Sequence, residues 1–332
     1  CIRDREYHID GFRFDLMGIH DIETMNAIRK ALDKIDPTIY IYGEGWAAGA
    51  PQLPEEKLAM KNNTYKMPGI AAFSDEFRDS LRGPFGNDAQ GAFIIGRPGH
   101  EAGVRFGLVG GIMHPQVNSN PKHKVPKIWA NSPSQMISYV SCHDDLCLTD
   151  RLKATLPGAS VQELSALQKL AETAVLTSQG VPFIFAGDEV LRDKKGVHNS
   201  YSSPDSINAI DWRNKTSHKD VFDYVKGLIA MRKAHPAFRM GDVGLVQKHL
   251  EFIDVPASNV VAFRLKGNPC GDSWLNTIVV LNARTEPVAV PIPEGKYWVA
   301  CRDGKIDLVL GLGIITGNQI LVAPRSAMIV HQ

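Results

Sequence analysis

Apolar positions along the first 235 residues change period repeatedly. Residues 8–16 alternate, with Ile9, Phe12 and Phe14 set among polar or small neighbours, which predicts a strand. Residues 21–36 then place Ile22, Met25, Ile28, Leu32 and Ile35 three and four apart, the spacing of an amphipathic helix, and Pro37 stops it. The β-branched and aromatic run 38–42 closes at Gly43, so strand, helix and strand follow within about 35 residues as a right-handed βαβ unit. The alternation continues with strands over 69–73, 135–141 and 181–186 and helices over 76–82, 161–178 and 221–234. A Gly/Pro-rich stretch, 83–133, reads as an insertion with some helix of its own. Five strands alternating with helices predict an α/β fold with a parallel sheet.

Beyond Pro236 the helical period disappears. Short strands are expected over 250–255, 260–266, 277–282, 288–292, 297–301, 319–322 and 327–330, separated by Gly, Pro and Asn turns. That spacing predicts a small antiparallel β-sandwich, and the expected division is 1–240 and 241–332.

Composition narrows the partners. Of 332 residues 44% are hydrophobic, enough for a sizeable core, and 37 basic against 36 acidic residues give a net charge of +1. No basic cluster points to nucleic acid, and no apolar run approaches the ~18 residues needed to cross a bilayer. The five cysteines are scattered without a C-x-x-C pair, so thiols rather than a zinc site are expected. The opening, Cys1-Ile-Arg-Asp-Arg, has no initiator Met or targeting segment; it is expected to be the inside of a longer protein, and no compartment follows from it.

Candidate chemistry sits where strands should end. Asp15, Glu44 and Asp75 are 29 and 31 residues apart, one βα unit each, with Asp144 and Asp188 at the ends of two later strands. In a barrel of parallel strands such C-terminal ends converge on one face, where active sites lie. Each acid alone also suits a helix cap. Arg13, two residues before Asp15, shares its side of the strand and should keep that carboxylate ionised. Gly43 and Gly45 flank Glu44 and are expected to let a substrate approach. Trp46 fits either a sugar-stacking platform or the core. Asp15 and Glu44 on neighbouring strands, about 4.8 Å apart, approach the ~5–5.5 Å carboxyl spacing of a retaining glycosidase. A Mg²⁺ site of enolase type, on Asp15, Glu44 and Asp75 with His143 as base, is the rival reading, although Arg13 would compete with the metal.

Asp10-Gly-Phe-Arg-Phe-Asp15, Tyr42-Gly-Glu-Gly-Trp46 and Val140-Ser-Cys-His-Asp144 resemble short motifs of the α-amylase superfamily of glycoside hydrolases. Phe185-Ala-Gly-Asp-Glu189, His198-Asn-Ser-Tyr-Ser-Ser-Pro-Asp205 and Ile210-Asp-Trp212 are most similar to bacterial type I pullulanases. The resemblance implies part of a (β/α)8 TIM barrel, strands four to eight, followed by a β-sandwich. It also implies a debranching hydrolase of α-1,6 linkages in pullulan, glycogen or branched dextrins. An isoamylase-like or α-1,4-cleaving relative, and an inactive glycan-binding one, are the alternatives. By the same resemblance Asp15 is the nucleophile, Glu44 the general acid/base and Asp144 the third carboxylate. Arg13, His143, Trp46, Tyr201 and Asp205 are implied to bind substrate.

The implied partner is an α-glucan. No redox or nucleotide cofactor is implied, and a structural Ca²⁺ finds no ligand set here. One departure stands inside a motif: Asp145 follows His143-Asp144 where the family has Asn, and two adjacent acids are expected to raise one pKa. The family's first motif and first three barrel strands would lie before residue 1. The chain alone is therefore expected to lack part of its active site and to be poorly stable or inactive.

Overall fold

The computed structural model describes residues 6–118 and 125–332. The expected opening 1–5, with Cys1, and 119–124 of the insertion lie outside the described residues. Five strands form a parallel sheet in chain order: β1 Gly11–Phe14, β2 Tyr40–Gly43, β3 Ile70–Phe73, β4 Met136–Ser138 and β5 Val181–Pro182. Register runs from Gly11 opposite Tyr40 to Phe14 opposite Gly43, which brings the residues just after both strands level with each other. The strands are shorter than their apolar runs predict. The strands β4 and β5 end at Ser138 and Pro182, and of the residues just beyond them Tyr139 and 142–145 line a cleft.

Helices on the outer side carry the expected periodicities. Helix α1, Ile22–Asp33, begins where the Asp21 side chain accepts the Thr24 N–H at 2.7 Å, and α2, Asp75–Arg82, begins at Ser74. Helices α3, Glu101–Leu108, and α4, Leu148–Thr155, lie in or after the insertion. Helix α5, Val161–Thr177, opens with Ser160 accepting the Glu163 N–H, and α6, Lys219–Ala234, packs against it. Among the described residues no helix is long and apolar enough to cross a membrane.

The second sheet is antiparallel. Its strands are β6 Leu250–Ile253, β7 Val260–Lys266, β8 Asn276–Asn282, β9 Val288–Arg302, β10 Lys305–Ile306, β11 Ile314–Val322 and β12 Ser326–His331. They run in the order β10-β9-β12-β8-β7-β6, with β11 against β9. The two strands expected at 288–292 and 297–301 are one, because β11 pairs along both halves of β9, from Trp298 to Val288. The first half of β9 pairs with β11 while the second also pairs with β12, so one sheet folds over itself into a sandwich.

Side-chain alternation separates the two faces of this sheet. Val261, Phe263, Val279 and Leu281 join the large core with Leu167, Leu170 and Val175 of α5. Val260, Ala262, Ile278 and Val280 meet Val288, Val290, Ile320 and Val322 inside the fold-over. At the junction Trp274 is stacked between His235, at 3.6 Å, and His331, at 3.9 Å.

Candidate active site

Strands β1 and β2 end side by side, and a single guanidinium joins the acids just beyond them. Arg13 Nη1 donates to Asp15 Oδ1 at 3.0 Å and Nη2 to Glu44 Oε1 at 2.8 Å. Leu16 turns the chain in the left-handed region, at φ 44°, and its N–H donates to Glu44 Oε2 at 2.7 Å. A leucine held there is strained, a feature that gathers at functional sites. The two carboxyl groups have different surroundings: the Asp15 side chain is 71% exposed and that of Glu44 only 7%. Burial pushes the Glu44 carboxyl above its ordinary pKa, and the negative charges of Asp15 and Asp144 add to this. The Leu16 N–H and Arg13 pull the other way without cancelling it.

Glu44, Arg13 and half-buried Trp46 line a cleft of about 550 Å³ together with His143 and Asp144 from the turn after β4. His143 Nε2 lies 3.4 Å from Asp144 Oδ2, and both side chains are about half exposed, at 52% and 56%. Asp15 stands at the rim, joined to the cleft through Arg13. The cleft thus gathers Arg13, Glu44, Trp46, His143 and Asp144, with Asp15 in contact. Tyr201, on the long loop and 82% exposed, and Asp205, which opens a short exposed helix, are outside its lining.

Several expectations change. Gly43 and Gly45 do not open the backbone to a substrate. A Cβ on Gly43 would meet the Phe14 carbonyl and Met17 at 2.7 Å, and one on Gly45 would meet Lys61 at 2.6 Å, so they make room for neighbouring chain. Asp188, although it lies beyond β5, is buried away from the cleft, where Ser141 Oγ donates to it at 3.4 Å. Burial, with Glu189 nearby, pushes its carboxyl up to about 7.

Asp145 lines the same cleft but is buried, whereas the Asp144 side chain is about half exposed. Arg82 Nη2 donates to Asp145 Oδ2 at 2.8 Å, and His198 Nδ1 meets Oδ1 at 2.7 Å. Burial opposes ionisation of Asp145, but Arg82, the Leu146 N–H and His198 outweigh it and hold the carboxyl below the usual range. The expected rise beside Asp144 is therefore a fall at Asp145, because its charge partners come from helix α2 and the 194–200 loop rather than from its neighbour.

Sequence reasoning did not find Phe73, Arg78, Tyr139, His198 or Asn199, which also line the cleft. Arg78 Nη1 donates to the Tyr139 hydroxyl at 2.8 Å across 61 residues of chain, a contact with no local signal. His198 opens the motif that runs to Asp205, but nothing in its spacing ties it to Asp145.

Asp88, Asp145 and His198 bring three metal-ligating atoms close together. Each ring nitrogen of His198 already meets a carboxylate at 2.7 Å and Arg82 takes the other Asp145 oxygen, so the set is a closed polar network. The enolase-type triad is likewise engaged by cations: Arg13 holds Asp15 and Glu44, and Lys61 pairs with Asp75. The described cysteines are free thiols.

Residues 246–305 match the family model described as the pullulanase all-beta domain. Over 297 residues the chain is 38% identical to the pullulanase of Bacillus subtilis strain 168, which spans 89% of this chain and 40% of that protein. The solved pullulanase from Bacillus acidopullulyticus superposes with a TM-score of 0.91 at 34% identity, covering 99% of this chain and 38% of that one. That from Paenibacillus barengoltzii, in complex with maltohexaose and α-cyclodextrin, gives 0.87 at 40% identity, over 99% and 49%. The chain spans less than half the length of these relatives.

Proposed function

Because this chain belongs to the pullulanase family, we propose that it carries the carboxylate machinery of a retaining glycoside hydrolase cleaving α-1,6-glucosidic linkages in pullulan, glycogen or branched dextrins. The observation that carries the reading is Arg13 held between two carboxyl groups of unlike environment, one exposed and one buried. Retention needs one ionised carboxylate and one protonated acid about 5–5.5 Å apart. Asp15, exposed beside a guanidinium, suits the first role, and Glu44, whose pKa burial raises, suits the second.

In this mechanism an Asp15 oxygen attacks the anomeric carbon as the bond to the glycosidic oxygen breaks, and Glu44 gives its proton to the departing oxygen. Glu44, now a carboxylate, takes a proton from water. The water oxygen bonds to the anomeric carbon and Asp15 leaves as a carboxylate. Asp144 and His143 hold the hydroxyls of the sugar being distorted, and Trp46 stacks on a ring. Tyr201 and Asp205, outside the cleft, meet outer glucose units. The division at 240/241 belongs to the same proposal, since every cleft residue precedes it.

The test is pullulan digestion by the natural-length polypeptide containing this sequence, with the configuration of the first product followed by proton NMR. Maltotriose released as the α-anomer is the expected result. Release of the β-anomer overturns the assignment of Asp15 and Glu44, and cleavage of amylose with pullulan spared moves the reading to α-1,4 bonds. Tight glucan binding without turnover leaves a binding module.

A further inference from the structure

The turn that presents Asp144 is gripped from below by one buried side chain. Lys194 is wholly buried, and its ammonium donates to the carbonyls of His143 at 2.8 Å, Asp145 at 2.7 Å and His198 at 3.3 Å. Three N–H groups meet three carbonyls, so the donor set is complete. Two of those carbonyls flank Asp144 directly, and Asp145, on the way to α4, sits in the left-handed region at φ 62°. The loop that supplies Lys194 is itself anchored: its backbone N–H donates to Asp150 Oδ2 at 2.6 Å, and that of Gly196 to Asp150 Oδ1 at 3.0 Å.

An ammonium buried on carbonyls alone is a costly arrangement. An apolar side chain of the same length would fill the space more cheaply, but would leave the carbonyls beside Asp144 without this donor. We propose that Lys194 is a positioning residue for Asp144: by holding the backbone on both sides of it, the ammonium fixes the direction in which that carboxylate enters the cleft. The inference rests on the proposed function, in which Asp144 acts on the distorted sugar. It also joins the loop bearing His198 and Asn199 to the same point, so the cleft wall and the third carboxylate share one anchor.

The test uses Lys194→Met in the natural-length polypeptide, assayed where circular dichroism shows it folded. The expected result is a fall in kcat on pullulan of about 10²-fold, the cost of a misplacement near 1 Å, with KM and maltotriose affinity little changed. Lys194→Gln, a neutral side chain with two donors, should lose less. A crystal structure of Lys194→Met should show the His143–Asp145 turn displaced and Asp145 out of the left-handed region. A lowered Tm with kcat per folded molecule unchanged overturns the proposal, as does a turn left in place. Should the Met variant not fold, Lys194→Gln carries the same two readings. If the unmutated protein cleaves no α-glucan, the functional reading fails by itself, and the turn in the variant crystal still decides the role of Lys194.

Discussion

The two sheets solve opposite problems. Strands of the parallel sheet are 4, 4, 4, 3 and 2 residues long, and the residues beyond their ends are held by side-chain contacts that cross 28 to 63 residues of chain. Strands of the antiparallel sheet reach 15 residues, and alternation buries both faces, with ion pairs such as Glu251 with Arg264 and Lys266 kept to partly exposed side chains. In the first region polar groups decide where the backbone goes. In the second, apolar area does. Chemistry and bulk stability should therefore respond to different substitutions.

The largest separation is expected at Glu44. Glu44→Gln should lower kcat by about 10²–10⁴-fold, the contribution of a positioned acid–base group, while the denaturation midpoint hardly moves. Phe263→Ala, in the large core, should cost about 3–5 kcal/mol in urea titration and leave turnover per folded molecule intact. Equal effects of both variants on both measurements would break the comparison.

Arg82→Met tests the polar region as a source of stability. It removes the guanidinium from the buried Asp145 carboxylate, leaving only His198 and the Leu146 N–H, and loss of one partner from a buried pair costs about 3–5 kcal/mol, read by urea unfolding. Asp188 tests the reverse sign. Its carboxyl titrates at about 7 when folded and in the ordinary acid range when unfolded, so the folded state binds the extra proton between those values. Stability should fall as pH rises toward 7 and level off above it, and Asp188→Asn should raise Tm at pH 8. A smaller effect is expected at Arg13. The acid role of Glu44 requires its proton, so kcat/KM falls as pH rises through its elevated pKa; Arg13 lowers that pKa, and Arg13→Met should move the alkaline limb upward.

Much of the site was legible because a βα unit has a nearly fixed length. Acids about 30 residues apart at strand ends place Asp15 and Glu44 next to each other, and Arg13 follows from strand periodicity. The features that could not be read depend on packing across the chain. Gly43 and Gly45 look like openings until Met17 and Lys61 fill the space beside them. Asp145 looks like a repelled neighbour of Asp144 until Arg82, far away in sequence, reaches it. Asp188 shares the strand-end signal of Asp15, but its strand stops at Pro182 and the chain has turned before reaching it. The two strands read either side of 293–296 merge because Pro291 and Pro293 sit at exposed positions, where the bend of β9 tolerates them.

Strand β12 lies between β9 and β8, although it is the last of the seven strands to be made. A growing chain would carry β6 through β11 out of the ribosome with the middle of their sheet still missing. During that interval β8 and β9 each present an unpaired edge, the kind that recruits strands from other molecules. Synthesis order thus opposes spatial order, and the hazard ends only when residues 326–331 arrive to fill the gap.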